Sequence, residues 1–543
     1  MAQQLQNITI NAPAFGGINT QDSPVGLDPS YAAVATNCVI DKLGRVGARK
    51  GSVLLSTATN TAGASAVGTN TVKVETVFES LDKSGDKVVF SAGNNKIFSG
   101  IDTLTNITPS SYTISANKWK VVNFNDHVYF YQRGHEPLVY TDVGSQGLVK
   151  LTAVTGFDAP NVGGSDIAPY QANEVLAAYG RLWIADITGN KHTIYWSDTL
   201  NGNDWDGGAT GAIDLTTVWP TGHDEVVALA AHNGFLIVFG KTSIVVYSGA
   251  DTPSTMALHD TVEGVGCVAR DSVQHTGTDI VFLSDSGVRS FGRVIQEKSM
   301  PMRDISKNVR NDLVRYVNEE RIVDSTLSSV KSVYSPEEAF YLLTLPNNNI
   351  TYCFDMRQAL PDGSHRVTTW STPIALCYTR TQDGEIYMGR QGGIYEYKGF
   401  MDKLCTLVAS TYTYSTSSYQ LAYFSNPLDF GNSSNIKFLK KFKMTIIGDA
   451  AAQSVLNWGY DYSDAYFKQT FNSKRTNANT AFYGVSEYNV TTSEYTAGTQ
   501  TQVPNVHGSG HGTVVTVGLE STISGTEFSI QKIDINVLLG RLI

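Results

Sequence analysis

Over most of the chain apolar residues alternate with polar ones in short runs, and Gly-, Asn- or Asp-bearing turns separate the runs. The clearest unit reads Val226–Ala230, His232-Asn233-Gly234, Phe235–Phe239, a turn at Gly240–Ser243, then Ile244–Tyr247. A second is Ser272–His275, Gly277, Asp279–Ser284, Ser286-Gly287, Val288–Phe291; a third is Ala375–Tyr378, Gln382-Asp383-Gly384, Glu385–Gly389, Gly392, Gly393–Tyr397. Looser copies centre on Val88–Phe98, Val128–Tyr140, Leu182–Trp196 and Phe340–Phe354. Alternation at period two marks strands, and turn residues that tolerate positive φ join them into antiparallel meanders. One meander buries only part of its apolar face, so copies spaced by about 40–60 residues must pack on each other as propeller blades do. The pattern predicts an all-β chain in which seven meanders between residues 73 and 400 form one β-propeller.

The flanks read differently. Residues 1–60 predict an irregular N-terminal arm, ending in the basic stretch Arg45-Val46-Gly47-Ala48-Arg49-Lys50-Gly51 and a strand, Ser52–Ser56, placed to close the ring. Residues 57–72 are small and polar, a loop, and the propeller is assigned 61–400. Within it Ile305, Val309, Leu313 and Val317 recur at steps of four, predicting a helix over 304–319 with Asp304 as N-cap. Beyond 400, Phe438–Ile447, Val455–Tyr462, Gly512–Leu519 and Phe528–Leu538 are strand-like. They predict a β-sandwich over 401–543 with residues 472–511 as a long excursion.

Composition narrows function. At 543 residues the chain exceeds one ordinary core, and its net charge of −10 argues against a surface that grips phosphates. The start, MAQQLQNITINAPAFGG, lacks a basic region followed by an apolar stretch, and no run suits a membrane helix, so neither signal peptide nor membrane segment is expected. Cys38, Cys267, Cys353, Cys377 and Cys405 are scattered without CxxC spacing, which predicts free buried thiols in a reducing cytoplasm.

Candidate chemistry fails on spacing or context. Gly240-Lys241-Thr242-Ser243 copies the end of a nucleotide-binding loop, but Phe235 stands where a glycine is needed and a strand follows instead of a helix. His507-Gly508-Ser509-Gly510-His511 offers two imidazoles without a neighbouring carboxylate or thiolate. Asn203-Asp204-Trp205-Asp206 lacks the ordered oxygen series of a calcium loop, and Asp285-Ser286-Gly287 is a lone, misspaced relative of the sialidase turn. No GxSxG elbow occurs. The expectation is a protein that is not an enzyme and has no catalytic residues, cofactor or metal site.

Several stretches together resemble the nozzle family of short-tailed bacteriophages, the packaged-DNA stabilisation or tail tubular B proteins. They are Asn11–Asn19, Asn37–Asp41 with Gly44–Gly51, the run Leu229–Gly249 followed by Glu263–Ala269 and Asp279–Phe291, the helix near Ile305–Val317, and the ending Phe528–Arg541. The resemblance implies a homohexamer at the distal end of a virion tail, assembled in the host cytoplasm below an adaptor or gatekeeper ring, with fibres or spikes outside. Such a ring continues the DNA channel, retains packaged double-stranded DNA without specific binding, and opens for ejection. On that reading Arg45, Arg49 and Lys50 are expected to face a partner, a neighbouring blade or the adaptor ring. The alternative is a propeller-type receptor-binding or glycan-degrading tailspike, for which Trp183, Trp196, Trp205 and Trp219 could supply aromatic contacts; for Trp183 and Trp196, which lie inside strands, blade packing is the favoured use.

Overall fold

The alternating runs are strands, some shorter than predicted (Gln274–His275, Gly287–Ser290 and Cys377–Arg380), and the turns between them take the conformations their residues suggest. At His232-Asn233-Gly234, Asn233 and Gly234 have φ of 50° and 81°, the left-handed pair a tight hairpin requires. The computed structural model describes residues 5–41, 44–57, 73–141, 147–159, 161–162, 165–166, 171–296, 304–408, 411–431, 434–448, 453–463, 465–472 and 501–542.

The chain is a β-propeller. Its first blade is Val74–Leu81, Lys87–Gly93, Lys96–Ser99 and Thr105–Asn106; the second is Lys120–Phe124, His127–Tyr131, Leu138–Thr141 and Gly147–Lys150. The third runs Ala172–Ala178, Arg181–Ile187, Thr193–Trp196 and Gly211–Asp214, the fourth Val226–His232, Phe235–Gly240, Ser243–Ser248 and Ala257–Glu263. A three-stranded sheet, Gln274–His275, Ile280–Ser284 and Gly287–Ser290, holds the fifth position. The sixth blade is Lys331–Ser335, Phe340–Leu345, Ile350–Asp355 and Arg366–Trp370. In the seventh, Cys377–Arg380, Ile386–Arg390 and Gly393–Tyr397 are completed by Ser52–Thr57, paired antiparallel to Gly393–Tyr397. The first strands of successive blades lie side by side around the axis, the 3-10 turn Arg270–Ser272 standing beside Val226–His232 at the fifth position, and the seventh blade packs back on Val74–Leu81. Apolar layers such as Trp183, Trp196, Trp219 and Leu236 fill the gaps between blades.

The sheet order divides the rest of the chain differently from 1–60 and 401–543. The N-terminal stretch is not an irregular arm: Leu5–Asn11, Tyr31–Thr36, Cys38–Ile40 and Val46–Ala48 are all strands. Leu5–Asn11 and Val46–Ala48 both pair with the last strand, Ser529–Leu542, which also pairs with Asn435–Ile447. Tyr31–Thr36 bridges the sixth blade at Thr36–Thr369 and pairs on its other side with Tyr419–Ser425, which continues through Val515–Ile523 to Gln453–Tyr460 and Phe467–Asn472. The two sheets share a core that includes Leu439, Phe442, Trp458, Val517, Ile533 and Ile535. Asp402–Val408 and Thr411–Ser417 extend the seventh blade instead of joining these sheets. Of the expected excursion, residues 473–500 lie outside the described residues; Thr501–Gln502, Asn505–His507 and His511–Gly512 pair with Asn435–Ile447.

The helix expected over 304–319 is displaced. A 3-10 turn at Lys307–Val309 leads into the helix Arg310–Val323, and Asp304 does not cap it. Its buried carboxylate instead lies 3.8 Å from Arg289 and 3.9 Å from Arg310. A second short helix, Phe291–Gln296, starts where the sequence predicts a strand to end, with the Gly292 amide donating to Asp279 Oδ1 at 2.8 Å.

Candidate functional site

Charged residues near the starts of several innermost strands converge on the propeller axis. Glu174, on the third blade, is 1% exposed. Lys120 of the second blade lies 3.7 Å from Glu174 Oε1 and 3.7 Å from Asp271 Oδ1, just before the fifth sheet. Arg270 grips the Asp271 carboxylate at 3.0 and 2.9 Å, donates to the Asn173 carbonyl at 2.6 Å, and sits 4.0 Å from Glu174 Oε2. Lys331 of the sixth blade donates to Asp271, whose own carbonyl accepts from Ser332 Oγ at 2.7 Å. Beside this network is a cavity of ≈ 180 Å³ lined by Glu75, Thr76, Lys120, Asp271, Lys331 and Tyr378 among others.

The two carboxylates respond differently to burial. Burial pushes Glu174 up to about 7 against the pull of Lys120 and Arg270, and its Oε2 has no hydrogen-bond donor among the described residues. Burial works the same way on Asp271, but Arg270, Lys331 and Lys120 hold it well below the usual carboxylate range. The arrangement cross-links four ring positions through paired charges, so the axis is bridged. None of these residues was singled out from sequence. The signal that could have found them is a charge near the start of an innermost strand, at Glu75, Lys120, Glu174 and Lys331.

The basic stretch expected to meet a partner is engaged within the chain. Arg49 is fully buried: its guanidinium makes a fork to both Asp402 oxygens at 3.0 and 2.7 Å, donates to Thr372 Oγ1 at 2.9 Å, and lies 3.9 Å from the Tyr419 ring centre. Its role is therefore in the fold, a correction to the expected interface. Arg45 pairs with Asp41 at 2.6 Å and Lys50 with Glu338 at 2.5 Å, and only these two keep partial exposure.

The other motifs resolve into turns. The Gly240–Ser243 turn closes on the Asp224 carboxylate. Asp204 Oδ1 accepts from the amides of Asp206 and Gly207 at 3.3 and 3.0 Å, an Asx turn beside buried Trp205. Asp285 pairs with Arg321 at 2.6 Å. His507 and His511 are exposed on separate short strands, and the Ser509 carbonyl between them accepts from Trp458 Nε1 at 2.9 Å and Tyr460 Oη at 2.6 Å. Among the described residues no three His, Cys, Asp or Glu side chains are grouped to hold a metal ion, and no helix is long and apolar enough to cross a membrane. Trp183, Trp196, Trp205 and Trp219 are all buried; no disulfide joins the five cysteines, four of which are buried as expected, while Cys405 is only half-buried.

No family model matches the chain, and no curated protein matches it. Among solved structures it is similar to PorZ, a bacterial surface component of the type-IX secretion system of Porphyromonas gingivalis, at 13% identity and a TM-score of 0.34. That match covers 68% of this chain and 43% of PorZ, so the chain spans less than half of that protein's length. It is also similar to the Pan2 WD40 domain of Neurospora crassa, at 9% identity and a TM-score of 0.34, over 65% of this chain and 95% of the domain. The WD40 propeller of Doa1 matches at 12% identity and a TM-score of 0.34, over 64% and 96% of the two chains.

Proposed function

We propose that the chain is a structural subunit of the distal nozzle of a short-tailed phage, acting by retaining and releasing DNA and not by chemistry. The observation that supports this best is where the nozzle-like segments fall. The start of the opening segment 11–19, the strands of 37–51 and the closing segment 528–541 meet in one sheet: Val46–Ala48 pairs with Ser529–Leu542, and the Ala12 amide donates to the Gln531 carbonyl at 2.9 Å, while Gly17–Ile18 joins the neighbouring sheet beside Tyr31–Thr36. The central segments, 229–249 and 279–291, make the fourth blade and the fifth sheet. Stretches far apart in sequence thus belong to two connected β units, as a resemblance of whole architecture requires.

On this reading six copies form a ring, and duplex DNA passes between subunits. The axis of each propeller is bridged by Lys120, Glu174, Asp271 and Lys331, with a cavity of only ≈ 180 Å³ beside them. With a net charge of −10 per subunit, even a minority of surplus acids facing the lumen repels phosphate and keeps the DNA mobile. Negative-stain imaging and native mass measurement of the purified full chain test this. A six-fold ring with a central channel is expected; a monomer at micromolar concentration would overturn it.

A further inference from the structure

The outer face of the sheet built from both chain ends carries a surface that neither blade packing nor the axis network uses. Register places its residues in rows across Leu5–Asn11, Ser529–Leu542 and Asn435–Ile447. The first row is apolar: Leu5, Leu538 and Phe438, with Leu5 56% exposed. The next holds Asn7, Asn536 and Lys441, then Thr9, Asp534 and Lys443, then Asn11, Lys532 and Thr445. Lys440, at a bulge, is exposed beside them. Asp534 is the sole carboxylate on these three strands, and Lys532 at 3.0 Å and Thr9 Oγ1 at 2.6 Å already engage it. Lys440, Lys441 and Lys443 make no ion pair among the described residues. Leu5–Asn11 also pairs on one side only among those residues, and it has no Lys, Pro or bulge to guard its open edge.

A solvated outer face is usually mixed in charge and free of aligned apolar rows. Here an apolar row abuts three lysines that make no ion pair among the described residues, a combination suited to an apolar contact rimmed by charge. The complementary charge is on the same chain. Residues 73–400 hold 26 Lys and Arg against 37 Asp and Glu, a surplus of eleven acids, while the whole chain has a surplus of ten. The blades therefore carry the entire negative excess. We propose that this lysine-bearing face docks on the acidic propeller of a second copy, head to tail, which rests on the ring reading above. Such a heterologous contact uses two different surfaces of each copy, as a closed ring demands.

The test is sedimentation velocity of the full chain at low and high salt, beside Lys441→Glu with Lys443→Glu. Wild type should self-associate, more weakly at high salt, and the double variant should associate about tenfold or more weakly. The variant should stay folded with a modestly lower thermal midpoint, because a carboxylate at position 443 stands opposite Asp534 in the register, and Lys441→Arg with Lys443→Arg should assemble as wild type. Leu5→Glu, at an exposed position, should weaken association independently. Rings that form unchanged in the double variant would overturn this docking mode and leave the ring reading intact, whereas a wild type that stays monomeric would overturn both. Loss of binding to a duplex DNA oligonucleotide in the double variant, with self-association untouched, would reassign the face to nucleic acid and overturn the proposal.

Discussion

Ser243 Oγ donates a 2.7 Å hydrogen bond to the Asp224 carboxylate, so the turn that resembles a nucleotide-binding loop is wrapped around a carboxylate of its own chain. The amides of Lys241 and Thr242 add bonds of 2.9 Å each, and Thr242 Oγ1 one of 3.0 Å. Burial tends to raise the Asp224 pKa, but the hydrogen bonds from Ser243, Thr242 and Glu225 outweigh it and hold the group below its ordinary value. Asp224→Ala would strand these donors in a site with little solvent access. A loss of about 2–4 kcal/mol is expected, read as a lower urea midpoint at unchanged slope. Asp224→Asn, which keeps the shape and one acceptor oxygen, should fall in between.

Because the donors of that turn already have an anion, they are not free for a phosphate. Lys241 itself pairs with Glu225 at 2.6 Å on the exposed side. Magnesium ATP should leave the thermal midpoint unmoved and should not be hydrolysed. Lys241→Ala should change stability by less than about 1 kcal/mol, as loss of an exposed ion pair does. Hydrolysis abolished by that substitution would refute this assignment.

What could be read from sequence is what neighbours in sequence determine. Alternation and turn residues specify a meander locally, so the blades from Val74 to Tyr397 are legible. The N-terminal strands are not, because Leu5–Asn11 becomes a strand by pairing with Ser529–Leu542 at the far end of the chain. Nor is the helix start: Asp304 has the composition of a cap, but two arginines from different elements, Arg289 and Arg310, lie against it. The axis network hides for the same reason, since Lys120, Glu174, Asp271 and Lys331 meet only when the ring forms. Arg49 misleads in the opposite direction. A basic run usually marks solvated surface, and nothing local announces that Asp402 waits inside to pair with it.

That pair sets what charge reversal in the basic stretch should do. Arg49 joins the segment before the ring-completing strand Ser52–Thr57 to Asp402 and Thr372 in a site without solvent. Arg49→Glu would set two buried carboxylates against each other, so folding should fail before assembly can be assayed. Arg49→Ala, which leaves Asp402 buried and unpaired, should cost about 3–5 kcal/mol. Arg45→Glu, at a partly exposed pair with Asp41, should leave the chain folded. Circular dichroism melts of the three variants check the ordering, and equal melts for Arg49→Ala and wild type would refute it.

Glu174 gives the molecule a pH response with a definite sign. Its carboxyl rises to about 7, chiefly through burial, whereas an unfolded chain titrates it near 4.5. The folded chain therefore keeps a proton there over a window in which the unfolded chain has lost it. The stability tied to that proton is complete below about pH 4.5 and disappears as pH rises through 7, on the order of 3 kcal/mol in all. The groups facing Glu174 are Lys120 from the second blade and Arg270 and Asp271 before the fifth sheet. Asp271, held well below 3.8, titrates outside this window. His275, whose pKa burial lowers, acts in the opposite sense within it, so the comparison must keep His275 in both proteins. Wild type should lose thermal stability between pH 5 and 8 relative to Glu174→Gln, which stays uncharged throughout. Parallel midpoints across that range would mean that Glu174 is ionised in the fold, balanced by Lys120 and Arg270.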